Sequence, residues 1–271
     1  FGTCSQLSKP IGTSPIWVMQ PTKVVPNFAL SHFLATAPAA TVGAVAAASS
    51  VLPTVVKNNL PAAQALLQRH GLNWGDLDGL AYGEGPGAFT GLRGACAAVQ
   101  GLALGLGLRA VSVPSLWIVA EDARQQALAH GLLQPQGPCT VAVAVDARMG
   151  QVYDERMRWS GQGWACLDGP QVRAPEEVAQ AWWALRSGAC TEPAWILAGS
   201  GLALMPEADA AALKGQALFW AAEAHDRSAA LGRCAVLAWE AGPQRDAAQV
   251  MPRYVRDRVA LTTAERQSGL T

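Results

Sequence analysis

Fourteen consecutive residues, Leu80-Ala81-Tyr82-Gly83-Glu84-Gly85-Pro86-Gly87-Ala88-Phe89-Thr90-Gly91-Leu92-Arg93, limit what this chain can fold into more than any other feature of it. They read as a short apolar strand, a glycine-rich turn and the first turn of a helix. A helix start presents unpaired backbone N–H groups and a positive dipole end, and glycines let the backbone approach a neighbour closely. Gly83, Gly85 and Gly87 alternate, which suits positive φ or a close approach that side chains would block. Pro86 stiffens the turn and removes one donor. Thr90 is expected as the N-cap, its hydroxyl facing the N–H of Leu92 or Arg93, with the helix running to Leu106.

Two phosphate-binding patterns compete with a plain strand-to-helix turn. A P-loop ends in Gly-Lys-Ser/Thr, and this run has Gly91-Leu92-Arg93, which excludes it. Gly83-x-Gly85-x-x-Ala88 fits the dinucleotide fingerprint in form, but the next acids are Glu121 and Asp122, too far on to meet a ribose, and Pro86 lacks a needed N–H. In the helix, Gly94, Ala97, Ala98, Gly101 and Gly105 recur at spacings of three and four, so another helix can pack at short range. An internal helix against a sheet and a subunit interface both satisfy that face. Gln100 and the short length argue against a membrane span.

Three further segments stand out: Asp146-Ala147-Arg148-Met149-Gly150-Gln151-Val152-Tyr153, Ala198-Gly199-Ser200-Gly201 and Pro252-Arg253-Tyr254-Val255-Arg256. Together with Gly83 to Gly101 they resemble the glycine loop, the Asp-Ala-Arg hairpin, the second glycine turn and the C-terminal Pro-x-Tyr-x-Arg strand of the bacterial TsaB (YeaZ) family. The likeness covers roughly Leu60 to Arg266. It departs from the family at Ala88, where Ser is usual, and at Glu84, whose charge would repel a phosphate.

The first 59 residues depart further. The family opens with an apolar strand ending in Asp-Thr-Ser, which nothing here matches. Residues 1–75 hold no Asp or Glu, residues 1–68 hold no Arg, and no charge falls between Val24 and Val56. Pro26, Pro38 and Pro53 argue against a membrane helix, and the lack of Arg against a mitochondrial transit peptide. This break predicts a frame error or truncation upstream of about Leu60. If the segment is genuine, the first lobe is expected to lack its central hairpin.

From Leu60 the chain reads as alternating helix and strand, an α/β pattern. Pro61 suits a first helical position, with Ala63, Leu66 and Leu67 inward, and His70-Gly71 ends that helix. Strands are expected at Leu77–Tyr82, Ala110–Val113, Thr140–Asp146, Val152–Trp159, Trp195–Ala198 and Arg253–Val259, the third and fourth joined by a Met149-Gly150 turn. Helices are expected at Thr90–Leu106, Ser115–Ala129, Pro175–Leu185 and Arg227–Glu240. The resemblance implies an actin-like, ribonuclease H-like two-lobe fold. Residues 60–109 and about 227–271 would form lobe 1, residues 110–226 lobe 2, and 1–59 an atypical segment.

The chain carries 20 basic and 20 acidic residues, which argues against unaided binding to tRNA. Arg253, Arg256 and Arg258 make a modest local patch that reads better as a solvated strand edge than as a phosphate site. Cys4, Cys96, Cys139, Cys166, Cys190 and Cys234 show no CxxC pairing and read as thiols of a reducing cytoplasm. His32, His70, His130 and His225 include no i, i+4 metal pair, and Ser112, Ser115 and Ser200 lack a nucleophile motif. Asp146 is the best lone candidate for chemistry, against a turn-making role.

What the resemblance implies is a non-catalytic subunit of the complex that makes threonylcarbamoyladenosine next to the tRNA anticodon. It would dimerise with a catalytic subunit of the same superfamily through Thr90, Gly94, Ala97, Ala98 and Gly101. An ATPase subunit would complete the complex, tRNA would be reached through it, and the chain alone would form a homodimer. Gly83, Gly85, Pro86, Gly87, Gly91 and Arg93 form the glycine-rich loop. No metal or resident cofactor is expected, with room for ATP or ADP only at the subunit boundary, no membrane partner, and a cytoplasmic setting. The alternatives are a metallopeptidase-like protein and an actin-like small-molecule kinase.

Overall fold

The structure is a computed structural model that describes residues 15–19, 44–47, 52–187 and 194–256. Two sheets carry the fold. The first has the order β2-β1-β3-β4, built from β1 (Pro15–Met19), β2 (Ala44–Ala47), β3 (Gly79–Gly85) and β4 (Arg109–Pro114). The second has the order β7-β6-β5-β8-β9, built from β5 (Cys139–Arg148), β6 (Gln151–Trp159), β7 (Trp164–Arg173), β8 (Trp195–Ala198) and β9 (Phe219–Ala221). In that sheet β5, β6 and β7 are antiparallel neighbours, while β8 and β9 run parallel to β5. A hairpin-built half plus crossover strands on the other side of the central strand is the ribonuclease H-like arrangement.

Helices cover both faces of each sheet. They are α1 (Leu52–Arg69), α2 (Phe89–Leu106), α3 (Ser115–Ala129), α4 (Pro175–Ser187), α5 (Glu207–Gln216) and α6 (Arg227–Ala241). Alternation along the strands divides the core. Leu80 and Tyr82 pack with Leu67, Val99 and Ala103 of α1 and α2, whereas Ala81 and Val111 pack with Ile118, Leu231 and Ala235 of α3 and α6. In β5, Val141 and Val143 face α3, and Ala142 and Ala144 face Trp182 of α4 and Leu213 of α5. Sheets buried on both faces need apolar residues at consecutive positions, as in Val141-Ala142-Val143-Ala144, all fully buried. The chain crosses between the sheets twice, through α3 and through the turn that opens α6.

Buried ion pairs fasten these crossings. Asp122 of α3, 2 % exposed, accepts the backbone N–H groups of His225 and Asp226 at 2.9 and 2.8 Å and Arg227 Nε at 3.0 Å. Asp226 then caps α6 by accepting from Ala229 N–H. Glu121 binds Arg124 at 2.9 Å, and the Arg124 guanidinium lies over the Trp159 ring.

Several sequence expectations need correction. β4 belongs to the first sheet, so the lobe boundary drawn at residue 109 falls after Pro114. Pro61 stands inside α1, which starts at Leu52. The central place in the first sheet, expected to be vacant, is held by β1. However, β1 runs antiparallel to β3, whereas the equivalent β5 runs parallel to β8. Of the strand expected at Arg253–Val259, residues 253–256 are extended but belong to no sheet, and 257–259 lie outside the described residues.

Candidate functional site

The extended segment of residues 250–256 joins two of the other sequence motifs, the first glycine loop with its helix and the Asp146 hairpin, and the second glycine turn packs against that hairpin. That segment is pinned step by step to the first sheet. Gln100 Nε2 donates to Val250 O at 2.8 Å. The Tyr82 hydroxyl donates to Met251 O and accepts from Met251 N–H at 3.4 and 3.3 Å. Arg253 N–H donates to Glu84 O at 2.6 Å. Further on, Arg93 Nε donates to the Tyr254 hydroxyl at 2.8 Å, and the Arg93 guanidinium stacks 3.7 Å above the Phe89 ring. The Tyr254 ring lies 5.4 Å from that of Phe89.

The segment ends on the hairpin of the second sheet. Arg256 donates to Gln151 Oε1 at 2.7 Å and to Arg148 O at 3.5 Å. The hairpin loop is Met149-Gly150, with φ of 56° and 68°, a two-residue turn that matches strand twist. The second glycine turn lies behind the hairpin, where Asp146 N–H donates to Ser200 Oγ at 3.2 Å. A Cβ at Gly199 would strike Ala144 O, and at Gly201 it would come within 2.8 Å of Val152 Cγ1. Glycine is required there by close approach to β5.

The first glycine loop is narrower in its demands than its alternation suggests. Gly85 alone of the three has positive φ, +117°, and a Cβ there would sit 2.5 Å from Arg253 O. Gly83 is buried within β3, and Gly87 has ordinary room beside Leu92. Pro86 and Gly91 are buried. Gly85 N–H donates to Ser115 Oγ at 3.0 Å, so a donor that a phosphate would use is occupied. Thr90 is not the N-cap. The helix starts one residue earlier, after Ala88, whose methyl offers no acceptor, and Thr90 is an exposed residue of the first turn.

Glu84 is also corrected. Its carboxylate is buried and paired with Arg245 at 3.3 Å and Arg253 at 3.9 Å, so it fastens the loop instead of presenting free negative charge. Asp146 serves the hairpin, accepting Arg148 N–H at 2.7 Å and Arg148 Nη1 at 3.1 Å. His70, His130 and His225 stand apart, His130 against the Phe219 ring. Among the described residues no three His, Cys, Asp or Glu side chains gather as a metal site. Cys96, Cys139 and Cys234 are buried and Cys166 is exposed, all free; Cys4, Cys190, His32 and Arg258 lie outside the described residues.

The small-residue stripe of α2 divides in two. Gly94 and Ala98 are buried, the latter in the core with Ala63 and Leu67 of α1. Ala97 is half-buried, while Gly101, Leu104 and Gly105 are exposed, Leu104 at 80 %. Next to them an apolar groove of about 430 Å³ runs between α1 and α2, lined by Leu60, Pro61, Trp74, Gly101, Leu102 and Leu106. By length and mean hydropathy α2 alone among the described helices could cross a membrane, but Gln100 bonds Val250 O and its inner residues fill the first-sheet core.

Sequence reading missed the clustering of Phe89, Arg93 and Tyr254. The available signal was two aromatics and an arginine, each inside a motif, but a contact across 161 residues has no local mark.

Two sheets sandwiched by helices, with two crossings and one extended segment joining the first glycine loop to the Asp146 hairpin, define an actin-like two-lobe protein. The family described as "TsaD: tRNA N6-adenosine threonylcarbamoyltransferase" matches residues 53–261. The TsaB proteins of Escherichia coli and Haemophilus influenzae, named tRNA threonylcarbamoyladenosine biosynthesis proteins, are each 36 % identical, over 119 and 100 residues. Those matches cover 42 % and 37 % of this chain and 48 % and 39 % of the relatives, so the chain spans about half or less of their length. YeaZ from Pseudomonas aeruginosa is 28 % identical with a TM-score of 0.56, covering 73 % of this chain and 83 % of that one. A second Pseudomonas aeruginosa structure, described as similar to peptidase YEAZ, is 31 % identical with a TM-score of 0.58, covering 74 % and 83 %. The chain belongs to the TsaD family and, within it, to the TsaB (YeaZ) group.

Proposed function

We propose that this protein is a non-catalytic subunit of the machinery that makes threonylcarbamoyladenosine in tRNA, docking the catalytic subunit on the outer face of α1 and α2. The observation that carries this is the side-chain-poor strip of half-buried Ala97 and exposed Gly101 and Gly105 beside an apolar groove, with Leu104 standing free. Such a face suits another helix at close range. The pathway is supported by the names of the TsaB relatives.

The scaffold reading is supported by what the polar groups already do. Asp146 is held by Arg148, Glu84 by two arginines and the Gly85 N–H by Ser115. A peptidase or kinase would need a free acid, base or phosphate cradle at these places. A nucleotide, where one takes part, would sit at the boundary with the catalytic subunit and not in this loop. An ATPase subunit completes the assembly, and the isolated chain pairs with itself through the same face.

The test is genetic and chemical together. A host strain depleted of this chain should lose threonylcarbamoyladenosine from its tRNA, measured by mass spectrometry of nucleosides, and regain it when the chain is restored. The tagged chain should co-purify with the catalytic subunit. Unchanged nucleoside content on depletion, or robust turnover by the purified chain alone, would overturn the proposal.

A further inference from the structure

The start of α2, the Met149-Gly150 hairpin and the 253–256 segment bring arginines and an aromatic ring together on one face. It carries the guanidinium groups of Arg93, Arg148 and Arg256 against the carboxylate of Asp146, while Arg253 beside them is turned to the carboxylates of Glu84 and Glu155. The balance of the first four groups is two positive charges on a chain whose formal net charge is zero. The cations are presented to solvent: the side chain of Arg148 is 84 % exposed, and Arg93 is exposed. Flat and polarisable groups lie among them. Tyr254 is 47 % exposed and Met149 67 % exposed.

The groups are also held in place. Arg93 is fixed between the Phe89 ring and the Tyr254 hydroxyl. Arg256 is bonded to the hairpin, and its Nη1 lies 3.4 Å from Met149 Sδ. Ordered side chains lose little freedom on binding. Guanidinium groups for phosphates, with an aromatic ring and a thioether for unstacked bases, are the chemistry that recognises single-stranded RNA. An acidic peptide would use the arginines but would give Tyr254 and Met149 no flat partner.

We infer that this face, centred on Arg148, Met149 and Tyr254, binds the single-stranded loop of the RNA substrate. The inference rests on the pathway reading above and adds a location, on this chain, for RNA contact. It is compatible with a neutral net charge, because the patch would add a few phosphate contacts to those of the assembled complex and need not hold RNA by itself.

The experiment uses this chain assembled with the catalytic subunit of its own host and a fluorescent anticodon stem-loop RNA, followed by anisotropy between roughly 50 and 300 mM salt, the range over which phosphate contacts show. A double variant, Arg148→Glu with Tyr254→Ala, should bind roughly tenfold more weakly, with a salt slope shallower by about one unit. Lys214→Gln, on α5 outside the patch, should bind like wild type. Assembly of each variant is read by light scattering. Affinity and slope equal to wild type in an intact double-variant complex would overturn the inference while leaving the subunit reading standing. Loss of assembly in the double variant would also overturn it, by making the patch a protein-docking face. A wild-type chain that fails to assemble refutes the subunit reading, and the inference falls with it.

Discussion

Replacing Gly85 by alanine should release the segment that joins the two halves of the site. Gly85 has φ +117°, and a side chain there costs about 1–3 kcal/mol in backbone strain. The new Cβ would sit 2.5 Å from Arg253 O and 3.1 Å from Leu92 Cδ1, so the 252–254 backbone must retreat. Retreat breaks the 2.6 Å bond from Arg253 N–H to Glu84 O, worth about 1 kcal/mol. The sum is about 2–4 kcal/mol, or roughly 4–8 °C in Tm for a chain of this size. Urea unfolding followed by tryptophan fluorescence gives the stability, and hydrogen exchange gives protection at Arg253. Gly87→Ala is the control, since its Cβ would meet Leu92 no closer than 3.8 Å. A Gly85→Ala loss below about 1 kcal/mol with Arg253 still protected would refute the reasoning that close approach dictates this glycine.

Two other perturbations probe the frame. Asp122→Ala leaves the half-buried Arg227 guanidinium and two backbone N–H groups without their acceptor and should cost about 2–4 kcal/mol by urea unfolding; near-wild-type stability would deny the latch between the crossings. Glu155, buried with one oxygen accepting Trp117 Nε1 at 3.0 Å, has its pKa raised, chiefly by desolvation. The neighbouring Cys166 thiol is pushed up to about 11, by desolvation first and then by Glu155. A raised carboxyl pKa means that the contribution of Glu155 is fully present below its unfolded value near 4.5 and is lost as pH rises through the folded value. Glu155→Gln should therefore match wild type near pH 4.5, exceed it in stability near pH 8, and speed alkylation of Cys166; an unchanged difference between the two pH values would contradict this.

Much of the α/β frame was legible because periodicity and punctuation agree there. Ser115–Ala129 and Trp195–Ala198 are found at the expected bounds, and the Met149-Gly150 turn joins the expected pair. β7 was missed because Gly169-Pro170 reads as a turn; β7 is an edge strand, where a missing donor is tolerated. β9 is three residues long, too short for any period, and α5 carries a weak apolar face with only Leu213 buried. At the site, the motifs were visible one by one, and Gly199 and Gly201 are required as a glycine turn suggests. Their convergence was not visible, because the contacts of Arg93 with Tyr254 and of Arg256 with Gln151 span 161 and 105 residues. The pairing of Glu84 was hidden for the same reason, since Arg245 lies 161 residues away.

The proposal that this chain works by docking is tested most directly at Gly101. A Cβ there meets no atom of the chain within 4 Å, so Gly101→Leu should leave stability within about 1 kcal/mol of wild type and act only on a partner. Light scattering of the chain mixed with its host's catalytic subunit should show a complex for wild type and two separate species for Gly101→Leu. A Gly101→Leu complex of the same mass and affinity as wild type would place the partner elsewhere and contradict the account.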